Sequence, residues 1–112
     1  MANTKSAMRG VSVVLQNAAT TGNGQVLAIP SSFKKHTLII KGSAGVASGA
    51  VQPEGSDDAL YSGTWAQIGG GPVTVVASTE IIINFEGVFN FIRCGISSNI
   101  VGGTVTVTYL GS

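Results

Sequence analysis

Apolar positions along this chain recur at every second residue and nowhere hold a 3.6-residue period for more than a turn or two. Residues 104–110 (TVTVTYL) show it most clearly. Val105, Val107 and Tyr109 share one face, while Thr104, Thr106 and Thr108 share the other. A one-residue slip would bury three hydroxyls, so the register of this strand is strongly specified. Shorter extended runs precede it at 11–15, 25–29, 36–41, 46–52, 64–68, 73–77, 80–85 and 88–96. Turn formers punctuate them: 17–24 (NAATTGNG), Pro30 to Phe33, 43–45, 69–72 (GGGP), Glu86-Gly87, Ser97-Ser98-Asn99 and Gly102-Gly103. Eight or nine short strands so separated predict an all-β fold, an antiparallel β-sandwich of jelly-roll-like form.

The stretch from residue 49 to 68 organises the pattern. An apolar run leads into Glu54-Gly55-Ser56-Asp57-Asp58, and the chain's single tryptophan, Trp65, opens the return. This predicts a hairpin with a long polar tip, around which the flanking strands are layered, and with Trp65 buried. Residues 1–10 (MANTKSAMRG) lack periodicity and read as an N-terminal arm that lies on the domain's own sheet or is held by a neighbouring subunit, the latter favoured; residues 11–112 read as one domain.

Composition narrows what such a sandwich does. Charged residues make up 10% of the 112, against roughly 25% in ordinary soluble domains. A hydrophobic content of 44% argues against disorder. The chain is then either a neutral, glycine-rich β protein or one whose exterior faces other protein, where charge is depleted. The net charge of +1 carries no nucleic-acid footprint. Lys34, Lys35 and His36, the single basic run, read as a solvated strand entrance. One cysteine, Cys94, excludes an intrachain disulfide and fits a buried thiol. No apolar run reaches membrane-helix length, and no secretory signal stands out, so assembly in a cytosol is expected.

Candidate chemistry is sparse. His36, the one histidine, lacks a serine in nucleophile-elbow spacing and is expected to be structural or on the surface. Glu54, Asp57 and Asp58 do not follow the spacing of a twelve-residue calcium loop and are expected to serve the turn. Gly69 to Gly71 lack the lysine and following helix of a phosphate loop. Glu80 and Glu86 flank an isoleucine run and read as gatekeepers of an edge strand. Tyr61 is the better exposed aromatic, and Trp65 the core one. No enzyme activity, metal or cofactor is expected.

Three segments carry a resemblance. Glu54-Gly55-Ser56, an aspartate and then Trp65 resemble the F-E-G-S-N-D-G-T-N-W hairpin of small β-sandwich virion proteins of tailed bacteriophages. Phe91-Ile92-Arg93-Cys94-Gly95-Ile96-Ser97 and Gly103 to Thr108 resemble the same family's R-x-R-I-S and G-S-V-T-V-T ending, and residues 16–24 its N-terminal turn. Pro53 stands where the family has an aromatic, and the loop after Ser56 is longer. The resemblance implies a structural role without catalytic residues: a head decoration (cement) protein binding the major capsid protein, or a tail fibre or baseplate module binding a host receptor or carbohydrate. It would sit on the capsid surface of a virion assembled in the host cytoplasm, as a homo-oligomer, with a trimer favoured. Lys5, Met8 and Arg9 in the arm and Asp57, Asp58 and Tyr61 at the hairpin tip are the expected contact residues.

Overall fold

The computed structural model describes residues 11–112, which form nine strands and no helix. They are β1 (Val11–Ala19), β2 (Leu27–Ala28), β3 (Lys35–Gly42), β4 (Ser48–Ser56), β5 (Ala66–Gln67), β6 (Val73–Thr74), β7 (Glu80–Glu86), β8 (Phe91–Val101) and β9 (Val105–Gly111). The first sheet has the order β1-β9-β3-β7. The second has the order β2-β8-β4-β5, with β6 also on β4, and every strand pair is antiparallel.

The order follows from one doubled ribbon. β4 turns back into β5 and β6, and around that hairpin nest β3 with β7, β2 with β8, and β1 with β9. Rolling the ribbon pairs β3 with β9 and β4 with β8, so the nested pairs alternate between sheets. That is a jelly roll, and the stretch from 49 to 68 is its hinge.

The core lies between the sheets. β3 contributes Leu38 and Ile40, and β9 contributes Val105, Val107 and Tyr109; from the other side come Val51, Ile92 and Cys94. All eight are essentially inaccessible to solvent, as the period-2 pattern requires. β9 keeps the register expected of it. β7 forms one edge of the first sheet, with Glu80 and Glu86 at its two ends.

Several boundaries differ from the sequence reading. β1 continues through Asn17 to Ala19, with register shifts after Val14 and Gln16 and a left-handed Ala18 (φ 48°). β8 runs on through Ser97, Ser98 and Asn99, which sit outward opposite an irregular stretch of β4. The extended runs at 25–29, 64–68 and 73–77 shrink to two-residue strands. β4 passes straight through Pro53, which the missing N–H would ordinarily exclude from a central strand. The Pro53 carbonyl accepts the Ile68 N–H at 2.9 Å, so its nitrogen also points toward β5, away from the β4–β8 ladder. There the second-sheet partner is already interrupted: Gly69, Gly70 and Gly71, all at positive φ, swing the chain out between β5 and β6.

Candidate functional site

Glu54 is not in the hairpin tip. It lies within β4, directly opposite Arg93 of β8, and its Oε1 accepts from Arg93 Nε at 2.9 Å. Both side chains are largely buried, and they occupy the outer face of the second sheet, since their strand neighbours Ile92, Cys94 and Gly55 turn to the core. The Arg93 guanidinium also stands 4.1 Å from the centre of the Trp65 ring, a cation–π contact. Trp65 is buried as expected, but its ring packs beneath Arg93 rather than within the main apolar cluster. The hairpin is thereby fastened to the outside of its own sheet by one stacked ion pair.

Above that fastening the loop is built by turn chemistry. Ser56 Oγ accepts the Asp58 N–H at 3.1 Å and donates to the Asp58 carbonyl at 3.0 Å. Asp58 Oδ1 accepts the Leu60 N–H at 2.9 Å, and the Asp58 carbonyl accepts the Tyr61 N–H at 3.1 Å. Trp65 Nε1 then donates to the Tyr61 carbonyl at 3.0 Å. With the backbone tied, the side chains are presented outward. The Tyr61 ring lies against Gly63, where a Cβ would collide with it. Asp57, Asp58 and Tyr61 are exposed together at the tip, and Leu60 between them is 90% exposed. Leu60 went unremarked in the sequence because one leucine in a polar loop has no periodic signal. Lys5, Met8 and Arg9 lie outside the described residues.

Hollows mark the surface, among them a small one of about 230 Å³ beside Lys41, Ser78 and Glu80. Another of about 270 Å³ sits under the tip, lined by Ser56, Asp57, Tyr61, Thr64 and the edge of Trp65; it is just below the size of typical small-molecule sites. A larger, open one of about 720 Å³ lies at one end of the first sheet, among Lys35, Thr37, Asn84, Glu86 and Leu110. His36 borders it but is buried, not at the surface of a solvated entrance. Its Nε2 bonds the Gly87 carbonyl at 2.8 Å and its Nδ1 the Tyr109 hydroxyl at 2.6 Å, and its ring packs against those of Phe85 and Phe89, which also touch each other. The carbonyl only accepts, so Nε2 carries the proton and the hydroxyl donates to Nδ1. Neither nitrogen is left for a substrate. Among the described residues, no group of three or more His, Cys, Asp or Glu side chains converges. Burial in the core pushes the Cys94 thiol up to about 12, with the Glu54 carboxylate adding to it; at neutral pH it is protonated and a poor nucleophile.

No protein-family model and no curated protein matches the chain by sequence. Among solved structures it is similar to the SPBc2 prophage-derived protein YomS, with a TM-score of 0.70 and 18% identity over 97% of this chain and 98% of that one. At that identity the likeness concerns the fold, and it spans the jelly roll from end to end.

Proposed function

We propose that this chain is a non-enzymatic structural component of a bacteriophage virion, in particular a capsid decoration (cement) protein that binds the major capsid protein. One observation carries the reading. The hairpin tip offers Leu60 and Tyr61 to solvent on a backbone held by five turn and anchor hydrogen bonds. A backbone held in place beneath an exposed tyrosine and a neighbouring leucine suits an interface anchor, since little loop entropy is lost on docking. The low charge and the prophage origin of the similar structure support the same reading.

In mechanism, the tip and the N-terminal arm with Lys5, Met8 and Arg9 bridge adjacent capsid subunits. Each joint gains buried area, about 800 Å² per partner for a standard interface, and the shell then resists expansion under internal pressure. The protein acts on the capsid surface as a homo-oligomer. Co-sedimentation of purified chain with undecorated heads tests this. Leu60→Ser with Tyr61→Ala is expected to abolish binding while the fold persists; undiminished binding by that variant removes the tip from the interface.

An alternative is a tail fibre or baseplate module for a host carbohydrate, favoured by the hollow beside Tyr61. A sugar platform stacks on exposed rings, and here Trp65 is covered by Arg93, leaving a single tyrosine. Binding on a glycan array that Tyr61→Ala abolishes would favour this second reading over the first.

A further inference from the structure

The two sheets differ in what covers them. The outer face of the second sheet carries its own hairpin loop, with Trp65 and the Arg93–Glu54 pair beneath. Among the described residues, nothing lies across the outer face of the first sheet. The register puts Val14, Thr108, Ile39 and Ile82 in one row across its four strands, one on each. Val14 is 44% exposed and Ile82 58%, so a largely apolar row lies open to water on this face.

Charge on this face is sorted by strand. β3 points Lys35 and Lys41 outward at its two ends, with Thr37 and Ile39 between. β7 points Glu86 and Glu80 outward at the matching ends, with Asn84 and Ile82 between. Lys41 Nζ and Glu80 Oε2 are already 3.0 Å apart. A lysine column beside a glutamate column is self-complementary. A two-fold axis along the strands, midway between β3 and β7, lays each lysine over a glutamate of the other copy and Ile39 over Ile82.

We propose that this face seats a second copy of the same chain in such an isologous dimer. The edges of the sheet do not offer a competing route. Antiparallel addition of β7 to β7 about its central Ile83 would oppose Glu80 to Glu86 of the other copy, a like-charge pair. β1 is broken by two register shifts. Sheets packed face to face cross at about 30°, which keeps the isoleucines on the axis and leaves the long lysine and glutamate side chains to close the ends. About this axis only β3 and β7 of the two copies overlap. Two strands about 4.8 Å apart and seven residues at about 3.4 Å each give a flat footprint on the order of 230 Å² before side-chain relief. That is well under a standard interface, so the dimer is a weak one and β1 and β9 stay uncovered. The inference is independent of the virion reading, and it replaces the expected trimer with a dimer.

Sedimentation velocity on the full chain tests it. The wild type should shift toward twice the 11.3 kDa chain mass as its concentration is raised to about 1 mM. Ile82→Lys should sediment as a monomer with an unchanged circular dichroism spectrum, because Ile82 is outside the core. Glu80→Lys with Glu86→Lys should weaken association at least roughly tenfold by opposing like charges, and adding Lys35→Glu with Lys41→Glu should restore it. A wild-type chain still monomeric at about 1 mM, where even a weak dimer with a Kd of about 1 mM is populated, overturns the proposal. So does a trimer, or a dimer indifferent to Ile82→Lys. A full-length monomer that dimerises once residues 1–10 are deleted also overturns it, since the chain's own start would then cover the face. A dimer that ignores phage heads would instead count against the virion reading alone.

Discussion

Arg93 has its charge met by Glu54 and its flat face by Trp65, and each contact depends on the others. Removing Glu54 leaves a largely buried guanidinium with only an aromatic neighbour. Glu54→Ala is expected to lower stability by about 2 kcal/mol, read as a shift in urea midpoint at constant slope. The His36–Tyr109 bond makes a second residue-scale test. Tyr109→Phe leaves Nδ1 of a buried imidazole without its donor, at about 1–3 kcal/mol. A third concerns alkali. Burial raises the Tyr109 hydroxyl above its usual value, as it does the Cys94 thiol, to about 12 for the latter. Both groups hold their protons more tightly folded than unfolded, so their contribution is complete below about pH 8.5, the free thiol value. It is lost as pH rises toward the folded values. Thermal melts should hold steady in this respect at neutral pH and fall steeply above about pH 9, and Cys94→Ala should flatten the first part of that fall. A thiol-reactive dye at neutral pH should label Cys94 only at the rate of unfolding.

At the scale of elements, what the sequence disclosed was local. The alternation of residues 104–110 specified β9 and its buried face because period 2 survives where one face meets the core and the other does not. The hinge was legible for a similar reason: turn formers between two apolar runs, with one large aromatic on the return. Glu54 was misassigned because Glu-Gly-Ser-Asp-Asp reads as a turn from end to end. Its strand assignment depends on Arg93, 39 residues away, which no local pattern announces. Ser97-Ser98-Asn99 misled in the same way, being polar because they are exposed where the β4–β8 ladder is irregular rather than because the chain turns. The open face of the first sheet was illegible for a deeper reason. Val14, Ile39, Ile82 and Thr108 become one row only through three strand registers that join distant parts of the chain. For the tip, shortening the loop by deleting residues 59–62 should leave a folded sandwich, since these residues lie outside every strand. It should nonetheless abolish attachment to heads, measured by co-sedimentation.

At the scale of the whole molecule, the described residues form a flat body, 48 × 38 × 21 Å along its principal axes, with the two candidate contact regions on different sheets. The anchored tip belongs to the second sheet and the bare face to the first. That division suits a part that pairs with itself on one side and grips a shell with the other, and little of its surface then needs charge to stay soluble. The direct test is cryo-electron microscopy of particles from a phage or prophage whose genome encodes the chain. The account predicts jelly-roll density of this size on the outside of the capsid, with Leu60 and Tyr61 buried against the major capsid protein. Density for the chain on the tail alone, or particles that lack it with all of it left behind in the host lysate, would contradict it.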